Sequence, residues 1–217
     1  MPTDPSASDG AHLRPYRPSD LDAVYEICLR TGAAGEDATE HVDDHRLFGE
    51  VWAAPYVTVE PEHAHVVDDG TGRAIGYVLG TVDVVAFEAW CERAWWPPLR
   101  DRYRLVDGGT RLDDLLIALI HHRPEPDLAI CEPYPSELHI DLLPEAQGRG
   151  WGRRLIDVII ESFRAAGSPG VHLGTSIRNT RAIAFYEHLG FERLTPVGST
   201  AASIDFALAL SDPGDPT

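Results

Sequence analysis

The sequence predicts an α/β domain of the α+β kind, with a mixed, mostly antiparallel sheet flanked by helices. Three observations predict it. The turn-forming run Asp68-Asp69-Gly70-Thr71-Gly72 separates two apolar stretches, which is a hairpin signal. From Glu137 to Leu189 the chain alternates strand, helix, strand and helix. Phe191 to Leu194 and Ser203 to Leu210 then read as a closing antiparallel pair.

In chain order, His12 to Arg17 reads as a short strand. Pro18-Ser19-Asp20 reads as a helix start with a capping residue, and Leu21, Val24, Tyr25, Cys28 and Leu29 recur at helical spacing. A polar stretch from Thr31 to Asp44 leads to a short helix around His45 to Ala53. Ala64 to Val67 and Ala74 to Val85 are the hairpin strands. A helical insertion over about 86–122 carries Trp90, Trp95 and Trp96, a Pro97-Pro98 break, and the apolar set Leu112, Leu115, Leu116, Leu119 and Ile120. Glu137 to Leu143 is a strand. Gly152 to Ala166 is a helix whose Leu155, Ile156, Ile159, Ile160 and Phe163 form one apolar stripe, closed by Gly167. Val171 to Thr175 is a strand and Asn179 to Leu189 a helix ended by Gly190. Residues 1–11 and 211–217, rich in Pro, Asp, Gly and Ser, read as disordered tails around one domain over 12–210.

Composition sets the function classes. Of 217 residues, 35 are acidic and 18 basic, a formal charge of -17 that repels nucleic acid. No apolar run is long enough for a membrane span and the first residues do not resemble a signal peptide, so a cytoplasmic protein is expected. Cys28, Cys91 and Cys131 are widely spaced, which favours reduced core thiols over disulfides or a thiolate metal site. Every basic residue is Arg, which rules out Schiff-base and Walker lysines.

The chemistry concentrates where the strand ending in Leu142 runs through Gln147-Gly148-Arg149-Gly150-Trp151-Gly152-Arg153-Arg154 into the amphipathic helix. A glycine-rich turn at a helix N-terminus aims backbone N–H groups and the positive end of the helix dipole at one spot. Arg149, Arg153 and Arg154 add cationic charge, so the segment reads as a phosphate cradle within an acidic protein. A Rossmann loop requires Gly where Arg153 stands, and a Walker loop requires a Lys that is absent.

Gln147-x-x-Gly150-x-Gly152, with Leu142-x-Pro144 ahead of it, resembles the acetyl-CoA loop of the GNAT N-acetyltransferase superfamily. Asn179-x-x-Ala182-x-x-Phe185-Tyr186-x-x-x-Gly190-Phe191 is similar to that family's second cofactor motif. Leu13 to Arg17, Ala23 to Gly32, Asp44-His45, Tyr77-Val78 and Phe87 to Trp96 further resemble the acetyltransferase-like C-terminal domain of O-GlcNAcases, with no room here for a glycosidase domain. The resemblance implies a GNAT fold whose sheet splays near Leu142. It implies acetyl-CoA as co-substrate, held by Leu142, Leu143, Gln147, Gly148, Arg149, Gly150, Trp151, Gly152, Arg153, Asn179, Phe185 and Tyr186. It also implies an amine-bearing acceptor, a small molecule or a protein lysine, and leaves a homodimer open.

Amine acetylation requires a proton acceptor, a polarised carbonyl, a held thioester and a proton for the thiolate. Glu137, His139 and Asp141 share one face of a strand that, covered by helices, should be apolar on both; a cleft or a solvated face accounts for them. The resemblance places the Leu142 N–H at the thioester carbonyl, so Asp141 beside it is favoured as the base, direct or through water, with His139 and Glu137 behind. Tyr186 is the candidate acid. Phe185-Tyr186 also suits core packing, and Asn179 also suits an N-cap.

Other features read as bland. His41 and His45 lack a third ligand, His63-x-His65 and His121-His122 fare no better, and no metal is expected. Glu36, Asp37, Glu40, Asp43 and Asp44 suit a cationic acceptor or a solvated loop, and the tryptophans suit packing or a pocket wall. Two other functions compete: a silent acetyl-CoA-binding interaction module and, last, a zinc hydrolase.

Overall fold

The computed structural model describes residues 10–194 and 202–210. The expected tails therefore lie almost wholly outside the described residues. The chain begins with β1 (His12–Pro15) and α1 (Leu21–Thr31), then α2 (Leu47–Trp52) and α3 (Ala54–Val59). The hairpin is β2 (Ala64–Asp68) and β3 (Ala74–Thr81), followed by α4 (Val84–Trp90), α5 (Trp96–Arg102), α6 (Leu112–His121) and α7 (Leu128–Cys131). The remainder is β4 (Ser136–Leu142), α8 (Trp151–Ala165), β5 (Gly170–Ser176), α9 (Thr180–His188), β6 (Glu192–Arg193) and β7 (Ser203–Ala209).

All seven strands form one sheet in the order β1-β2-β3-β4-β5-β7-β6. Every neighbouring pair is antiparallel except β4 and β5, which run parallel. The parallel ladder is short: only Ser136 with Val171 and Glu137 with His172 are paired, and beyond them the strands diverge.

Strand alternation sorts the helices to the two faces. Leu138 pairs with Gly80, whose Cα lies under Phe163 of α8; Asp141 pairs with Tyr77, three residues from Gly80 and so on the opposite face. Leu155, Ile156, Ile159 and Phe163 of α8 are buried against the first face, and α1 packs on β3 and β4 from the other.

Several expectations require correction. Asp20 makes no side-chain cap for α1; it is buried, takes two bonds from the Arg14 guanidinium at 2.6 and 2.9 Å, and accepts the Arg17 N–H at 2.8 Å. Asp68 holds the third guanidinium nitrogen, Nε, at 2.8 Å, so a buried charge triad fastens β1 and α1 to the hairpin. The helix expected around His45 to Ala53 is α2, but a second helix that the sequence reading lacks, α3, follows directly from Ala54 with Pro55 in its first turn. β3 stops at Thr81 because Asp83 caps α4 by accepting the Ala86 N–H, so the insertion starts at Val84. Pro97 and Pro98 start α5 instead of breaking a helix.

Candidate functional site

Where β4 and β5 part, a cavity of about 680 Å³ opens, within the range of small-molecule sites. Its floor is the cradle. Gly148 and Gly150 have φ of +71° and +79°, which turn the chain so that the first N–H groups of α8 emerge unpaired. Gln147, Gly148, Gly150, Gly152 and Arg153 line the cavity. Gln147 fixes the turn: its amide N–H donates to the Leu142 carbonyl at 2.8 Å, and its oxygen accepts from Arg181 at 2.5 Å.

The positive charge is distributed differently from the sequence expectation. Arg149 is exposed outside the cavity lining, and Arg154 stacks over Trp151 with its guanidinium 4.7 Å from the ring centroid. Trp151 is buried in the core and does not line the cavity. Arg178 and Arg181, which flank Asn179, take those places beside Arg153. Arg181 lies inside the second motif, at a position where the motif prescribes no residue type, and Arg178 immediately precedes it.

Leu142 and Leu143 separate in role. The Leu143 side chain is fully buried and its N–H donates to the Ile75 carbonyl at 3.0 Å, so neither faces the cavity. In an antiparallel ladder successive N–H groups point to opposite sides, which turns the Leu142 N–H away from β3 and into the gap left by β5.

Asp141 lines the same cavity. The fully buried Tyr77 donates its hydroxyl to Asp141 Oδ2 at 2.6 Å, and His139 Nε2 lies 3.2 Å from that oxygen. Tyr77 and His139 both lie on Oδ2, which leaves Oδ1 clear of them. Burial pushes the Asp141 carboxyl above its ordinary value, against the opposing pull of His139 and the hydroxyls of Tyr77 and Thr31. His139 Nδ1 is buried without a hydrogen-bond partner among the described residues. Glu137 is not brought to this cavity. Its Oε2 accepts the Tyr56 hydroxyl at 2.6 Å, four residues along β4 and about 13 Å from Asp141.

Tyr186 is buried in an aromatic cluster with Phe185, Phe191 and Phe206 and also lines the cavity, so packing and a site role coincide. Burial, reinforced by the Asp141 charge, raises its phenol and keeps it protonated at neutral pH. Asn179 caps α9 by accepting the Ala182 N–H at 3.1 Å and lines the cavity as well.

The remaining wall escaped sequence reasoning. Ala33 and Glu36 exchange both backbone bonds, at 3.0 and 3.3 Å, around Ala34 (φ +59°) and Gly35 (φ +92°). This is a two-residue turn with both central residues left-handed. Gly35 sits so close to Asn179 that a Cβ would lie 3.1 Å from Nδ2, so the turn bridges from the end of α1 to the start of α9. An Ala in the left-handed region carries no sequence signature.

The three cysteines are buried and unpaired, with burial pushing Cys91 and Cys131 up to about 12 and about 11. Trp90 and Trp95 stack together, and Trp96 is in the core. Among the described residues, no helix is long and apolar enough to cross a membrane, and no group of three or more His, Cys, Asp or Glu is arranged to hold a metal.

Comparison with known proteins agrees with this architecture. The chain is 25% identical to rat protein O-GlcNAcase over 183 residues, spanning 82% of this chain and 20% of that protein. It is 39% identical over 105 residues to mycothiol acetyltransferase of Beutenbergia cavernae, spanning 43% of this chain and 33% of that protein. The chain thus spans a fifth and a third of these relatives' lengths. The crystal structure of SsHAT superposes with a TM-score of 0.84 at 40% identity, covering 93% of this chain and 99% of that one. Residues 22–191 match the Acetyltransferase (GNAT) family, and the chain belongs to that family.

Proposed function

We propose that this protein is an acetyl-CoA-dependent N-acetyltransferase that moves the acetyl group directly onto an amine in a ternary complex. One observation carries the reading: the divergence of β4 from β5 leaves the Leu142 N–H facing the cavity that also receives Asp141 and Tyr186. The first-turn N–H groups of α8, with Arg153, Arg178 and Arg181, suit a pyrophosphate.

In the reaction the amine nitrogen bonds to the thioester carbonyl carbon as the carbon–sulfur bond breaks. The nitrogen's proton passes to Asp141, directly or through water, and Oδ1 is the oxygen that Tyr77 and His139 leave open to it. Burial makes this carboxylate more basic than an exposed one. The Leu142 N–H donates to the carbonyl oxygen as charge develops there. Tyr186 gives its phenolic proton to the departing thiolate. His139 and Tyr77 position Asp141 through Oδ2.

The test is Tyr186→Phe, with CoA release measured across an amine panel beside acetyl-CoA affinity. Turnover should fall about 100-fold or more with affinity retained. Unchanged turnover removes Tyr186 as the acid. Binding of acetyl-CoA without CoA release above background for any amine replaces the enzyme with a silent acetyl-CoA-binding module.

A further inference from the structure

The face of the sheet under α1 carries more polar groups than acetyl transfer at Asp141 uses. Glu137, His139 and Asp141 follow one another along β4 with side chains 25%, 30% and 18% exposed, a continuous polar track in the middle of a sheet. Beside its far end stand His172 of β5, paired with Glu137, and Asp205 of β7, whose carboxylate overlies Gly174. Burial raises Asp205, which lies in the fields of His172, Glu137 and Asp127.

His172 indicates what belongs there. Its side chain is nine-tenths buried, and its Nδ1 lies 2.6 Å from the Tyr134 carbonyl, which only accepts, so Nδ1 carries the hydrogen. In the neutral ring Nε2 is then a bare acceptor, without a hydrogen-bond partner among the described residues. It lies 4.0 Å from Glu137 Oε1, the carboxylate oxygen that Tyr56 leaves free. Two acceptors do not bond one another, and both fall within reach of one ammonium nitrogen placed about 2.8–3.0 Å from each. The cation already in the field of Glu137, Arg123, is tied to Glu88 through bonds of 3.1 and 2.9 Å.

We infer that this track is the acceptor groove and that its acceptor is a linear polyamine: one nitrogen is acetylated beside Asp141 while a second, protonated nitrogen is held by Glu137 and His172, with Asp205 adding negative charge. The span of about 13 Å along β4 favours spermidine over diaminopropane. Opposite signs divide the site, with arginines at the phosphate end and carboxylates along the groove. The inference rests on the acetyl-transfer reading for the fate of the first nitrogen, while the holding of the second stands on the groove alone.

The experiment titrates spermidine calorimetrically into protein saturated with CoA, with propylamine as the single-charge control, in the unaltered protein and in Glu137→Gln and Asp205→Asn, each checked for folding by circular dichroism. Spermidine should bind and propylamine should not, spermidine affinity should fall about tenfold or more in each folded variant, and added salt should weaken it. Equal binding of the two amines, or spermidine binding unmoved by both substitutions, overturns the proposal; so does transfer to a lysine peptide in preference to spermidine. If no amine is acetylated while spermidine still binds and responds to Glu137→Gln, the acetyl-transfer reading falls and the groove stands. If other amines are acetylated with no response to either substitution, the groove falls and acetyl transfer stands.

Discussion

Tyr77→Phe isolates a bond that tempers the basicity of Asp141. The phenol is wholly shielded from water and donates at 2.6 Å to Oδ2, so the bond is charge-assisted and favours the ionised carboxyl by about 1.5–3 kcal/mol. Burial acts in the opposite sense and is the larger influence, holding the carboxyl above its ordinary value. Phe keeps the ring, and with it the edge contact to His139 at 5.7 Å between centroids, and removes only the donor. Asp141 should therefore hold its proton to higher pH. Because the base works ionised, transfer falls as pH drops through the Asp141 value. The variant should show that fall at higher pH, with about 10- to 150-fold lower rate on the acidic side and little change well above it. The same sign governs stability: the native state binds the Asp141 proton more tightly than the unfolded chain does, so this group's contribution declines as pH rises through the raised value. The assay is the pH dependence of kcat/KM for acetyl-CoA, beside a carbon-13 titration of labelled aspartate carboxyls that needs no acceptor. An acidic limb that stays in place or moves to lower pH, or a loss equal at every pH, refutes the assignment.

Two further outcomes follow from the scaffold. Asp20→Ala leaves the buried Arg14 guanidinium with Asp68 as its one remaining carboxylate partner and should cost about 3–5 kcal/mol, lowering Tm by roughly 6–20 °C in thermal unfolding. Burial raises both Asp20 and Asp68, but the Arg14 bonds and backbone N–H groups outweigh it and hold them below the ordinary range; the triad's stabilisation is therefore full above that range and lost as pH falls through the lowered values, a fall the variant should lack in part. Gly35→Ala forces an alanine to φ +92° with its Cβ 3.1 Å from Asn179 and should lower Tm by about 2–8 °C while weakening acetyl-CoA binding in the same sample.

The order and type of most elements were legible because their signals are local. The stripe of α8, the Asp-Gly hairpin, and Asn179 as both cap and cavity residue each follow from a few adjacent side chains. The structure departs from the sequence reading where a distant partner overrides a local preference. Pro18-Ser19-Asp20 reads locally as a capped helix start, but a guanidinium from β1 claims the Asp20 carboxylate. Glu137 was grouped with Asp141 by strand alternation, which reports the shared face and not the distance along the strand. Sequence proximity groups Arg149 and Arg154 with the cradle, although Arg149 is exposed ahead of α8, Arg154 stacks on Trp151, and the start of α9 brings in Arg178 and Arg181. Tyr77 could be found only by pairing β3 with β4 in register.

The central claim is that the Gln147–Arg153 turn holds acetyl-CoA, and calorimetric titration with acetyl-CoA tests it most directly. Gly150→Ala and Gly150→Asp share the strain of φ +79°, and a Cβ there meets no atom within 4 Å, so the pair differs chiefly in charge. The account predicts that the unaltered protein binds acetyl-CoA, that the Ala variant binds nearly as well, and that the Asp variant binds about 10- to 150-fold more weakly or not at all. No binding by the unaltered protein, or equal binding by the Asp and Ala variants, contradicts it.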